Sequence, residues 1–292
     1  MNFATAMQLG RVSNLPTVWT NTIAGAALAG AATFDLKLFF MLLAMSLFYV
    51  GGMFLNDAYD ADIDATERPE RPIPAGTVTR SEVFVIGYKL LAVGVLLLFG
   101  VGVGAAFQPG TGAWPAVGGI ALGAAIIAYN KDHKNNVMSP FVMGLCRVLV
   151  YVSAALCIVT AVPAPVYTIA VLALCHLIGL TYVAKQENLG SVKNMWPLLF
   201  FAVPVIFGFW QAWGDITTLL LWVVYTGWLA YAIRFLFRRN PGDIPRAVIS
   251  LIAGISLLDA MMISGAGHAG LAFLAVAAFL VTLALQRFVS GT

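Results

Sequence analysis

Apolar residues in this chain run in long continuous stretches, without the strict alternation of a half-buried strand. Ten stretches can be marked, approximately 15–33, 36–56, 82–107, 113–129, 139–161, 164–184, 195–213, 216–237, 246–263 and 269–288. Most approach the ~20 residues that a helix needs to cross ~30 Å of hydrocarbon. Inside a bilayer every backbone polar group must be paired within the fold, which leaves helices or a closed barrel. Continuous apolar runs select helices. The expected fold is therefore all-α, a polytopic transmembrane helical bundle. No linker or composition shift divides residues 1–292, so one domain is expected. The ninth stretch is the weakest span, because it carries Ser250, Ser256 and Asp259.

The connections between stretches alternate in character. Those at 34–35, 108–112, 162–163, 214–215 and 264–268 are short and nearly uncharged, whereas 57–81, 130–138, 185–194 and 238–245 are longer and polar. Basic residues follow the same division. Arg11, Arg68, Arg71, Arg80, Lys131, Lys134, Lys185, Lys193, Arg238, Arg239 and Arg287 fall on the polar-loop side, and only Lys37 falls opposite. Cytoplasmic loops carry the excess of Lys and Arg, which predicts cytoplasmic termini and polar loops in an inner, cytoplasmic membrane. The N-terminal residues lack the pattern of a cleaved leader, so the first stretch is expected to be retained.

Composition sharpens this picture. Hydrophobic residues make up 61% of the chain and charged residues 10%, with a mean hydropathy of +0.90, which excludes an ordinary soluble domain. The net charge of +3 gives no footprint for nucleic acid. Cys146, Cys157 and Cys175 all lie in apolar runs without metal-ligand spacing and read as small core residues.

Against so little charge, one stretch stands out. Asn56-Asp57-Ala58-Tyr59-Asp60-Ala61-Asp62-Ile63-Asp64 packs four aspartates into eight positions. On a helix at 100° per residue, Asn56, Asp57, Asp60 and Asp64 share an arc of about 100°, and Asp62 falls on the other side. Three carboxylates and one amide should face inward. Hard cations such as Mg²⁺ use one or two carboxylates and are completed by water and phosphate oxygens. The plainer reading is a solvated loop paired with Arg68 and Arg71. Pro72 and Pro74 lack amide donors and favour an extended, shaped loop after it.

Asn56-Asp57-x-x-Asp60-x-x-x-Asp64, followed by Arg71-Pro72-Ile73-Pro74-Ala75-Gly76, resembles the first aspartate-rich motif of the UbiA superfamily of intramembrane prenyltransferases. A looser likeness in helical layout runs from about residue 11 to 213. The resemblance implies a Mg²⁺-dependent transferase that moves a prenyl group from an isoprenoid diphosphate to a hydrophobic, often aromatic, acceptor. It implies a metal set of Asn56, Asp57, Asp60 and Asp64, and nine spans where the apolar pattern gives ten. Tyr129-Asn130-Lys131-Asp132-His133-Lys134 is similar to the family's basic loop, which implies Lys131 and Lys134 as diphosphate ligands. Their position at a helix end is also explained by topology alone, and His133 reads as solvated. Arg71 and Lys185 complete the expected diphosphate-binding set.

Arg147 lies about two turns inside an apolar run, where a charge is costly and marks a polar cavity, unless it snorkels to the surface. It also looks like the family's cavity-facing arginine and joins Asp57, Asp60 and Asp64 as a catalytic candidate. Lys89 has the same two readings. The N-terminal resemblance implies Arg11 and Asn21 at the acceptor side, although helix–helix hydrogen bonding explains Asn21 equally well. Asp259 is an intramembrane acid, too far along its helix from Arg246 for a direct pair.

The second motif departs from the family pattern. Where two aspartates are expected, the chain has Lys185-Gln186-Glu187-Asn188. Either Glu187 with Asn188 holds a metal weakly, or Lys185 replaces the cation's charge. A transporter or lipid-binding protein is the alternative class. It would need polar residues spread through the bilayer midplane, whereas here they gather at one surface. A family member without transferase activity is the third reading, motivated by the altered loop.

Overall fold

The computed structural model describes residues 1–133, 136–185, 195–238 and 240–289. Among the described residues the chain is helical, and its α-helices fall in the order α1 (Phe3–Leu9), α2 (Leu15–Leu28), α3 (Leu36–Glu67), α4 (Arg80–Val103), α5 (Trp114–Asp132), α6 (Ser139–Ile158), α7 (Ala164–Lys185), α8 (Ala202–Gln211), α9 (Ile216–Arg238), α10 (Asp243–Gly265) and α11 (Ala269–Leu285). A 3₁₀ turn over Trp196–Phe201 leads into α8.

Local chemistry starts these helices where the pattern breaks. The Asp35 carboxylate accepts from the Leu38 amide at 2.7 Å to open α3, and Thr79 caps α4 through the Glu82 amide at 3.2 Å. Proline in the first turn opens α2, α5 and α6, where its missing N–H has no helical partner to lose.

Each of the ten apolar stretches contains helix, and among the described residues six helices are long and apolar enough to cross a membrane by length and composition, namely α3, α4, α6, α7, α9 and α10. By that measure the count is six, where the apolar pattern and the resemblance give nine to ten. The α2 helix has only 14 residues, and α11 has 17. The chain is an integral membrane protein.

Two helices occupy the middle. Nearly all of α2 is buried, including the polar Thr17, Thr20, Asn21 and Thr22. Within α10, 89% of the apolar window is enclosed by protein, and α2, α7, α9 and α11 pack around it. Its serines and Asp259 give α10 the pattern of the weakest span, but it faces protein rather than lipid, so polar side chains find partners there. Close approach between α2 and α6 depends on Gly25, where an added Cβ would sit 2.5 Å from the Tyr151 carbonyl oxygen.

Helix α3 organises one end of the bundle. Its 32 residues rise about 48 Å, well beyond the ~30 Å hydrocarbon layer. The surplus carries the aspartates out of the apolar run without breaking the helix. Beyond it, residues 69–76 fold as successive turns, with Ala75 N–H bonded to the Arg71 carbonyl at 2.9 Å and Thr77 N–H to that of Pro72 at 3.0 Å. The two prolines do not hold this loop extended. Gly76, at φ 73°, reverses the chain where a Cβ would be strained.

Candidate active site

The helical arc predicted for the aspartate stretch is present. Asn56, Asp57, Asp60 and Asp64 are all at most 7% exposed. Asp62 faces outward and pairs with Arg80 at 2.9 Å.

Arginines hold the buried face. Arg71 Nη1 lies 2.7 Å from Asp64 and 3.3 Å from Asp57, and Arg11 Nη2 lies 3.0 Å from Asp57. Arg11 also donates to the Asn56 side-chain carbonyl at 3.2 Å. It therefore lies against the aspartate face, where the resemblance implies a place at the acceptor side. Its backbone has φ 41°, a left-handed conformation that costs a non-glycine residue about 1 kcal/mol or more. The Tyr49 hydroxyl holds this bend by donating to the Arg11 carbonyl at 3.1 Å.

A cavity of about 300 Å³ opens above this face, between the start of α2, α3, the ends of α5, α6 and α7, and α10. Its polar wall includes Arg11, Asn56, Asp60, Asp64, Arg68, Arg71, His133 and Arg147. An apolar recess of about 80 Å³ adjoins it, lined by Val18, Met45, Phe48, Gly52, Leu122 and Ile126 among others. Tyr49, Met53, Tyr129, Met143 and Arg147 line both spaces. A charged end and an apolar end thus meet at one boundary.

The donor chemistry fits a hard divalent cation, with a limit. Asp60 and Asp64 sit one helical turn apart and both face the cavity. Asp57 does not line it, because two arginines engage its carboxylate. No three acidic or histidine groups converge as a ready metal cluster among the described residues. Of the expected set Asn56, Asp57, Asp60 and Asp64, the cavity is lined by Asn56, Asp60 and Asp64, while Asp57 is paired with Arg11 and Arg71.

Other expectations divide. Arg147 lines both spaces, so it faces the cavity rather than snorkelling away. Asn21 is fully buried, bonds between helices and lines neither space. Lys131 and Lys89 are exposed and line neither space. Lys134 and Glu187 lie outside the described residues, as does the side chain of Lys185. His133 is not the solvated histidine its loop suggests, for its Nε2 lies 3.4 Å from Asp60 and its ring stacks on Tyr129. Its spacing of four residues from Tyr129 is the signal that the sequence offers. Asn130 has a role that the sequence does not single out. It accepts from Asn56 at 3.2 Å and donates to the Gly52 carbonyl at 3.0 Å, which fixes α5 against α3.

Together these features define a helical membrane protein with an acidic and basic cavity above an apolar recess. A model of the UbiA prenyltransferase family matches residues 18–252, and the chain belongs to that family. It is 35% identical over 116 residues to a digeranylgeranylglyceryl phosphate synthase of Ignicoccus hospitalis, covering 40% of this chain and 36% of that protein. To the chloroplastic chlorophyll synthase of Avena sativa it is 30% identical over 198 residues, covering 62% and 50%. These matches span half or less of the relatives' own length. In fold, the chain is similar to a UbiA homologue from Archaeoglobus fulgidus bound to GPP and Mg²⁺, with a TM-score of 0.59, 15% identity and coverage of 91% and 99%. A structure concerned with digeranylgeranylglyceryl phosphate synthase in membranes gives a TM-score of 0.63 at 19% identity, covering 90% and 98%.

Proposed function

We propose that this chain transfers a prenyl group from an isoprenoid diphosphate to a hydrophobic or amphipathic acceptor within the membrane, with Mg²⁺ as cofactor. The observation that carries the proposal is the shared boundary of the two spaces. A charged cavity suits a diphosphate, the apolar recess suits its hydrocarbon, and Tyr49, Tyr129 and Arg147 stand where they meet. The family membership and the GPP and Mg²⁺ of a fold neighbour support the same reading.

In this mechanism Asn56, Asp60 and Asp64 would hold Mg²⁺ beside the donor's diphosphate. When bound, the ion neutralises charge on the leaving group. Arg11, Arg68, Arg71 and Arg147 offset the remaining charge as the bond between the allylic carbon and the diphosphate oxygen breaks. Fixed cations in a water-poor site act here without reorganisation. The allylic cation develops at the boundary, where the Tyr49 and Tyr129 rings stabilise it through their π faces. The acceptor's nucleophilic atom then bonds to that carbon and gives up its proton, and no protein nucleophile is required. The donor enters from the side that carries the polar loops, which the Lys and Arg bias makes cytoplasmic.

Equilibrium binding of labelled prenyl diphosphates to the purified protein tests the reading. Binding should require Mg²⁺ and vanish with chelator. Failure to bind at every chain length would exclude it.

A further inference from the structure

The geometry points to Asp259 as a positioning residue that sets Arg147 in the cavity through the amide of Asn21. This rests on the reading of the cavity as a diphosphate site. Asp259 lies on α10, beyond the residues matched by the family model, and is fully buried. Three donors from two other helices converge on it. Thr20 Oγ1 and Asn21 Nδ2, both on α2, approach one carboxylate oxygen at 2.6 and 2.7 Å, and the Tyr151 hydroxyl on α6 approaches the other at 2.6 Å.

The orientation of Asn21 follows from the chemistry of its neighbours. A guanidinium only donates, so Arg147 Nη1, at 2.6 Å, must face the amide oxygen. The amide nitrogen is then turned to the carboxylate, which only accepts when ionised. Asn21 thus relays between a half-buried cation and a fully buried carboxyl group, each of which would be costly without partners in the bilayer interior. A second anchor is the Thr17 hydroxyl, 3.1 Å from Arg147 Nη2. These contacts lie on the α2 side of Arg147, while its guanidinium borders both the charged cavity and the apolar recess. Asn21 Nδ2 also donates to the Tyr151 hydroxyl at 2.7 Å, and that hydroxyl is itself held by Asp259. Without the Asp259 carboxylate, the Asn21 amide and the Tyr151 hydroxyl both lose the acceptor that orders them, and the Arg147 acceptor is held less firmly.

The test uses inorganic diphosphate with Mg²⁺ as probe, titrated by calorimetry into the full-length protein in lipid nanodiscs. Asp259→Asn should weaken binding roughly tenfold, as loss of an outer supporting partner does elsewhere, and Asp259→Glu should recover part of the loss. In an Arg147→Ala background, Asp259→Asn should add nothing, because its effect passes through Arg147. Ile255→Ala, a cavity in the same buried helix, should lower the melting temperature and leave affinity unchanged. Wild-type affinity in Asp259→Asn, or losses that multiply with Arg147→Ala, would overturn the inference. An affinity loss in Ile255→Ala equal to that in Asp259→Asn would also overturn it, by showing that any weakening of α10 suffices. If the wild-type protein binds no diphosphate, the functional reading fails first and takes this inference with it.

Discussion

At the scale of single residues, the aspartates of α3 have unequal tasks. Asp60 and Asp64 line the cavity, Asp57 is engaged by Arg11 and Arg71, and Asp62 is turned outward to Arg80. Asp60→Asn should abolish Mg²⁺-dependent diphosphate binding. Asp62→Asn removes only an exposed ion pair, of the kind that contributes about 1 kcal/mol or less, and should leave binding intact. Calorimetric titration of both variants checks this, and equal losses would contradict the assignment. Arg71 touches both Asp57 and Asp64, so Arg71→Lys, which keeps charge but loses the planar fork, should still reduce affinity. The helical arithmetic made the division between Asp62 and the inward face legible, since period alone decides facing. The neutralisation of Asp57 was not legible, because Arg11 is 46 residues away and reaches it through a left-handed backbone bend.

At the scale of helices, the apolar runs located the elements but not their depth. The serines and the acid of α10 resemble a marginal span, yet that helix is the most enclosed of the six long ones. Burial in protein and burial in lipid leave similar apolar signatures, and only the partners of Asp259, on α2 and α6, distinguish them. Helix packing also sets the recess. Phe48 is 1% exposed and its ring rests against Gly94 and Gly119, where added Cβ atoms would lie 2.9 and 3.2 Å away. Phe48→Leu should deepen the recess and shift preference toward donors with longer prenyl chains, read as relative kcat/KM over a donor series. An unchanged preference would show that Phe48 is only packing. Gly25→Ala forces α2 from α6, and overpacking of this kind costs about 1–3 kcal/mol. Its melting temperature should fall, with weaker diphosphate binding, because Asn21 and Arg147 ride on those two helices.

Over the whole molecule, most basic residues are sorted to one end, and the charged part of the candidate site lies there. The Lys and Arg bias predicts that this end faces the cytoplasm. With the native cysteines replaced, Thr66→Cys at the exposed end of α3 should react with an impermeant maleimide only from the cytoplasmic side. Thr33→Cys, exposed at the opposite end, should react only from outside. The reverse pattern would invert the topology. Membrane class and the inward face of aspartates could be read from the chain, because apolar run length and a rare cluster of acids are local signals. The cavity itself could not, since the segment before α2 and helices α3, α5, α6, α7 and α10 all contribute to it from distant positions.

The most direct test is transfer itself. Purified protein in lipid nanodiscs would be incubated with Mg²⁺, prenyl diphosphates labelled in the hydrocarbon, and a membrane lipid extract as the source of acceptor. Label is expected in a new hydrophobic product, matched mole for mole by released diphosphate, and lost with chelator or Asp60→Asn. Tight, Mg²⁺-dependent diphosphate binding without transfer to any component of the extract would contradict the proposed function.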